Sequence, residues 1–245
     1  MSKKKILITG GNSMLAYDFI RSQGDFFSIT SVDKNECDIT SFESILQSIS
    51  IHEPDIVLNC AAYTAVDDAE DIGMKMCYEV NTLGVHNLAR ATAAFGVDLI
   101  TISTDYVFDG KKSEGYLPGD VCDPINAYGM SKYLGEKLAK QENSQTIIVR
   151  TSWLYGGNIF GSSSGVFKNF VNTMLKLSET RSELKVVAYQ HGVPTSCMDL
   201  SSALAEIIQN LEEREYRGQI LHFSNSSEEG SITWADFARE IFLIL

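Results

Sequence analysis

Two kinds of apolar run alternate along this chain. Short, nearly unbroken runs of strand length recur as KILIT, FSITSV, DIVLNC, VDLITIS, TIIVRTS, LKVVA and QILHFS. Between them lie longer segments with an apolar residue at every third or fourth position, among them SFESILQSI, CYEVNTLGVHNLARATAAF, NAYGMSKYLGEKLAKQ, FKNFVNTMLKL and DLSSALAEIIQNLEE, which is the helical period. A strand that is apolar on both faces has to be covered on both, and strands separated by helices run parallel. The pattern therefore predicts an α/β protein with a doubly wound parallel sheet and a smaller C-terminal substrate-binding lobe. The sheet domain is expected over residues 1–152, completed by about 184–215, and the lobe over 153–183 and 216–245. The last run, ADFAREIFLIL, stops inside an amphipathic helical pattern, so the lobe is expected to be truncated at its C-terminal end. The Gly- and Ser-rich stretch YGGNIFGSSSG is expected to be a hinge or a lid over a site.

Composition narrows the class. The 245 residues, 44% hydrophobic and 21% charged, suit one soluble globular domain with a full core. There is no apolar run of membrane-spanning length, and MSKKK leads straight into a strand. The expectation is a cytoplasmic protein without signal peptide or membrane span. A net charge of −12 disfavours nucleic acid and anionic membrane as partners. An anionic small molecule would be met locally, by helix N-termini and a few basic side chains. The five cysteines and four histidines are scattered, with no C-x-x-C, so neither a disulfide frame nor a metal site is expected.

The first strand runs into ILITGGNSMLAYDFI. A glycine turn between a strand and a helix holds a dinucleotide's pyrophosphate at the helix N-terminus, with glycines at three positions for the turn, phosphate approach and helix packing. Here those positions are Gly10, Ser13 and Ala16. Ala16 adds only a methyl, and Ser13 suits a helix N-cap. By themselves these residues fit a plain βα turn as well as a nucleotide loop. Asp33 ends the second strand about twenty residues on, where an acidic residue meets a ribose 2′-hydroxyl. Lys34, next to it, suits a 2′-phosphate, so NADH and NADPH both stay open. Asp33-Lys34 read as a solvated turn is the plainer alternative.

Tyr128 and Lys132 are four apart in NAYGMSKYLGEK and share a helix face. An adjacent ammonium lowers a phenol from its usual ~10 and makes it a proton donor and acceptor near neutrality. An ordinary surface pair has the same spacing. LITISTDYVFDG ends a strand in Ser103, Thr104 and Asp105, at the edge where open α/β sheets bind ligands. A hydroxyl there can polarise a carbonyl beside Tyr128. DIVLNCAAYTAVDDAE supplies a second such edge, where Ala61 and Ala62 leave room for a ring to approach the backbone.

In order along the chain, NCAAYTAVDDAE, VNTLGVHNLA, STDYVFDG, PINAYGMSK, VRTSWLYG and GVPTSCMDL resemble the extended short-chain dehydrogenase/reductases. Among these the closest resemblance is to the dTDP-4-dehydrorhamnose reductase family, over residues 6–200. The resemblance implies a Rossmann-type fold, NADH or NADPH as cofactor, and a nucleotide-linked deoxysugar as substrate, with a homodimer left open. It implies Tyr128 as the proton donor to the C4 oxygen, Lys132 on the nicotinamide ribose and Thr104 on the C4 oxygen. Val66, Asp105, Tyr106 and Trp153 would line the substrate pocket. Gly10, Asn12, Ser13, Met14 and Leu15 would form the cofactor loop, with Asp33 at the ribose, Asp38 and Ile39 against adenine, and Ala61, Ala62 and Tyr63 along the ribose and diphosphate. Two alternatives remain: a reductase or epimerase of another nucleotide-linked 4-keto sugar, and a non-catalytic subunit resembling the methionine adenosyltransferase regulatory type.

Overall fold

In the structure, a computed structural model that describes residues 3–157, 167–212, 215–228 and 230–244, the described residues form ten strands, six of them from the apolar runs. They are β1 (Lys5–Thr9), β2 (Ser28–Val32), β3 (Ile56–Asn59), β4 (Asp98–Thr104), β5 (Ile147–Thr151), β6 (Leu154–Tyr155), β7 (His191–Gly192), β8 (Thr195–Ser196), β9 (Ile220–His222) and β10 (Ile232–Thr233). The helices are α1 (Met14–Gln23), α2 (Phe42–His52), α3 (Met74–Tyr78), α4 (Val85–Phe95), α5 (Ala127–Glu142), α6 (Phe170–Ser178), α7 (Cys197–Gln209) and α8 (Trp234–Ile244). Six strands form one sheet in the order β2-β1-β3-β4-β5-β9, all parallel. Two-residue ladders join β6 to β8 and β7 to β10.

Alternation along each strand sends its apolar residues to opposite faces. Ile6 and Ile8 of β1 enter the core under α1 and α7, against Phe19, Leu200 and Leu204. Leu7 enters the other core, under α2 and α4, with Ile45, Ile49 and Leu88. Truncating such a residue to alanine costs about 2–5 kcal/mol. A third, smaller core joins Val171 and Met174 of α6 to Ala238 and Ile241 of α8.

Helix starts follow the caps. Ser13, Ser41, Asn126, Asn169 and Ser196 each accept a backbone N–H from the first turn of the helix that follows, satisfying donors the helix itself leaves free. The FKNFVNTMLKL segment therefore becomes helical only from Phe170. The CYEVNTLGVHNLARATAAF segment is α3 and α4 joined by a π-helical turn, Glu79–Gly84.

Two expectations are corrected. LKVVA is not a strand: Leu184 and Val186 pack on the α6–α8 core, and Val187 O accepts from Ala235 N at 3.0 Å. Its apolar residues answer to helices rather than to a sheet edge. Ile220–His222, expected in the lobe, extends the main sheet beside β5. Of the stretch expected as a hinge or lid, only residues 155–157 lie among those described.

Candidate active site

The sheet's strand order turns at β1, whose neighbours β2 and β3 are reached by crossovers, so the carboxyl ends of β1 and β3 open a crevice between them. Gly10 makes the turn out of β1 with φ +70°, and a Cβ there would lie 2.5 Å from Ala61 N. Only glycine suits both the angle and the space. Ser13 has extended backbone and accepts from Ala16 N at 3.2 Å, so the serine replaces the second glycine as an N-cap. Ala16 is wholly buried in the core, where a methyl is accommodated. The loop that departs from the glycine pattern is an intact βα turn, and the start of α1 faces the crevice.

A cleft of about 470 Å³ occupies that position. Ser13, Met14 and Leu15 reach it from the loop, Ala61, Ala62 and Val66 from the end of β3, and Thr104, Asp105 and Tyr106 from the end of β4. Tyr128 and Lys132 enter from α5 and Trp153 from beyond β5. Gly10 and Asn12 are not among the residues lining the cleft. Asn12 Nδ2 donates to Asp33 Oδ2 at 3.3 Å, while Asp33 Oδ1 accepts from Asn35 N at 2.7 Å, so the carboxylate ties a turn beside the loop. Asp38 Oδ1 accepts from Thr40 N and Oγ1, and Ile39 is buried in the second core. Tyr63 turns its hydroxyl towards Gly73, and its backbone alone follows the strand end.

The N-cap bond from Gly129 N to Asn126 Oδ1, 2.7 Å long, sets Tyr128 in the first turn of α5 and Lys132 one turn on. Lys132 Nζ donates to Ile102 O at 2.6 Å. Burial pulls the lysine down to about 8, opposed by the nearby Glu136 carboxylate. The expected lowering of the Tyr128 phenol is reversed. Burial holds it above the usual range, a hydrogen bond with Thr104 pulls the other way, and the Asp105 carboxylate adds to the rise. The reason is that the lysine is committed to a carbonyl and the phenol is desolvated. Burial also pushes Asp105 up to about 6 and the Cys60 thiol up to about 12. Thr104 Oγ1 donates to Asp105 Oδ1 at 3.1 Å, and the Tyr106 ring meets Tyr128 edge-on at 5.6 Å.

Several residues that shape the cleft were not singled out from sequence. Asn59 Oδ1 accepts from Thr9 Oγ1 at 2.8 Å and from Ala61 N at 3.1 Å. It locks β1 to the chain leaving β3, and its signal is a polar residue closing the apolar run DIVLN. Asn81, in the π-helical turn, pairs with both backbone groups of Tyr63 and reaches Ser131 of α5. Glu136 and Arg150, each 4% exposed, form a buried ion pair that Ser103 joins. Phe167, Lys168, Asn169 and Trp234 also line the cleft. Among the described residues, no three His, Cys, Asp or Glu side chains gather as a metal site, and no helix is long and apolar enough to cross a membrane.

A nucleotide-binding βα turn and a Tyr-x-x-x-Lys helix meeting at the carboxyl edge of a parallel sheet define the class of short-chain dehydrogenase/reductases. Within that class the chain belongs to the dTDP-4-dehydrorhamnose reductase family, since residues 4–244 match the RmlD substrate binding domain. It is 37% identical to the dTDP-4-dehydrorhamnose reductase of Aggregatibacter actinomycetemcomitans, across 97% of this chain and 78% of that protein. The spore coat polysaccharide biosynthesis protein SpsK of Bacillus subtilis is 37% identical over the same shares, 97% and 78%. The crystal structure of the Bacillus anthracis dTDP-4-dehydrorhamnose reductase in complex with NADP superimposes with a TM-score of 0.88 at 37% identity, covering 100% of this chain and 81% of that one.

Proposed function

We propose that this protein reduces the C4 keto group of dTDP-4-dehydro-L-rhamnose to give dTDP-L-rhamnose, using NADPH or NADH, in cytoplasmic nucleotide-sugar biosynthesis for polysaccharide. The observation that carries the reading is the meeting of Tyr128, Lys132 and Thr104 in one cleft with the first turn of α1. The donor set suits a dinucleotide. Ser13, Met14 and Leu15 bring a helix N-terminus to the cleft, which favours a diphosphate, and Ala61 and Ala62 leave the strand end open to a ring. Lys132 would hold the nicotinamide ribose, and Lys168 adds a second cation to the cleft wall. When bound, the reduced nicotinamide supplies hydride to C4.

The chain's own residues supply the proton. A phenol held above its usual range by burial keeps its proton at neutral pH and yields it only to a strongly basic alkoxide. That is the charge that develops on the C4 oxygen as hydride arrives. Thr104 Oγ1, whose proton rests on Asp105 Oδ1 in this structure, would turn it to the same oxygen and orient it. The side of the cleft carrying Trp153, Asn169 and Trp234 would face the sugar. The test is loss of reduced-nicotinamide absorbance with dTDP-4-dehydrorhamnose, run beside a panel of other nucleotide-linked 4-keto sugars with both cofactors. Turnover of another sugar in preference would move the assignment within the class. Turnover of none, together with co-purification of a larger enzyme, would overturn catalysis in favour of a subunit role.

A further inference from the structure

The chain has two tryptophans, and they stack on each other. The rings of Trp153 and Trp234 lie 3.6 Å apart at 12°, and both line the cleft. Trp153 is also one of two non-glycine residues among those described with positive φ, at +45°. A bulky residue stays in that region only where its surroundings hold it there. Its carbonyl accepts from Thr195 N at 3.2 Å, and its ring presses on Gly192, where a Cβ would come within 2.5 Å of Cε2. The flanking backbone is tied down as well, by Ser152 Oγ donating to Val193 O at 2.9 Å and by Leu154 pairing with Thr195, while Trp234 covers a face of the ring.

Local chemistry fixes where Trp234 stands. Thr233 Oγ1 donates to Asp236 Oδ2 at 2.5 Å, and Asp236 N donates back to Thr233 Oγ1 at 3.1 Å. This reciprocal pair starts α8 at Trp234. Ala235 N is pinned to Val187 O, and Phe170 packs on the Trp234 ring at 4.6 Å. The second indole is thus held rigidly by the small α6–α8 core, and it supports the first.

We infer that Trp234 is a positioning residue that keeps the Trp153 ring, which the proposed function already sets beside the deoxysugar, flat against the cleft wall. This rests on the nucleotide-sugar reading given above. An indole face is electron-rich and takes C–H groups, and a 6-deoxy sugar offers a methyl where other hexoses carry a hydroxyl. Loss of Trp234 frees Trp153 to leave the wall, so binding of the sugar suffers while the hydride and proton steps keep their groups.

The experiment compares the wild type with Trp234→Ala, Trp234→Leu and Trp234→Phe, using NADPH and dTDP-4-dehydrorhamnose. In the Ala and Leu variants KM for the sugar rises about tenfold, the size of one aromatic contact, while kcat and the KM for NADPH hold. Trp234→Phe, which keeps a ring, recovers most of the loss. Trp153 is the sole indole in all three variants, so acrylamide quenching of its emission reads the stack directly. Quenching rises in the Ala and Leu variants relative to Phe. An unchanged sugar KM in both ringless variants, or equal quenching in all three, overturns the inference. Should Trp234→Ala not fold, the Leu and Phe proteins decide it. If the wild type turns over no nucleotide sugar, the reaction assigned above fails, and the quenching comparison still decides whether Trp234 holds Trp153.

Discussion

Tyr128 and Asp105 stand side by side in the cleft, and burial raises both acids. For the phenol this means a proton kept at neutral pH, as the proposed donor role requires. Tyr128→Phe keeps ring and helix and removes only the donor, so NADPH binding by calorimetry should hold while kcat falls by ~10²–10⁴-fold. A wild-type rate at saturating sugar would remove Tyr128 from its role. For Asp105 the consequence is in stability. A carboxyl whose folded pKa, about 6, lies above its ordinary 3.8 binds its proton more tightly folded than unfolded. Below about 3.8 both states are protonated and there is no penalty, and between 3.8 and about 6 the buried charge progressively destabilises the fold. Asp105→Asn retains the acceptor for Thr104 without the charge. Its melting temperature, measured against wild type from acid to neutral pH, should gain most above about 6 and least near pH ~4. A gain that shrinks towards neutrality would contradict this.

Helix α5 carries Tyr128 and Lys132, and several bonds along its length set its position. Asn126 caps its start, and Asn81 and Thr82 of the π-helical turn grip Ser131. Further along, Glu136 binds Arg150 of β5 through two hydrogen bonds of 2.9 and 2.6 Å. A buried ion pair contributes little net stability, but removing one partner strands the other charge and costs about 3–5 kcal/mol. Arg150→Met should therefore lower the urea midpoint sharply. Glu136→Gln combined with Arg150→Met should recover most of that loss, because no charge is left buried. Equal midpoints for the single and double variants would mean that the pair acts through packing alone. On α1, Ser13 is a cap that glycine replaces at a loss of only a few tenths of a kcal/mol. Ser13→Gly should leave cofactor affinity equal or tighter, read by titration with NADH and NADPH.

Across the whole molecule the cleft lies where parallel strands end, between two cores that hold the sheet and a third that carries the tryptophan wall. A ligand that binds only the folded chain stabilises it by mass action, about 2.7 kcal/mol at a hundredfold excess over Kd. At this chain length that corresponds to a rise of about 5–11 °C in melting temperature. NADPH and NADH should both produce a shift, and their difference reads the choice between them. At the 2′ position Asp33 would repel a phosphate and Lys34 would attract one, at ~1 kcal/mol each in water. Asp33→Ala should favour NADPH and Lys34→Ala NADH. A ratio that neither variant moves beyond about twofold, well inside that ~1 kcal/mol, would assign specificity elsewhere in the loop.

The alternation of apolar runs determined the sheet, its parallel sense and the two-sided core, because a strand buried on both faces carries that fact in its own residues. The Tyr128–Lys132 spacing, the Ser103-Thr104-Asp105 strand end and the Gly10 turn were legible as local patterns, but each fitted a plain structural reading equally well until the fold brought them to one cleft. LKVVA was misread because an apolar run does not say whether helices or a strand will cover it. The fate of QILHFS as the sheet's edge depended on β5 having a free side. The sign of the Tyr128 shift was invisible in a spacing that put an ammonium nearby. It took the folded chain to show Lys132 committed to Ile102 O and the phenol cut off from water. Trp234 lies 81 positions after Trp153 in the sequence and meets it only because α6 and α8 close a core of their own. Contacts of that range are made by packing, and packing belongs to the tertiary structure.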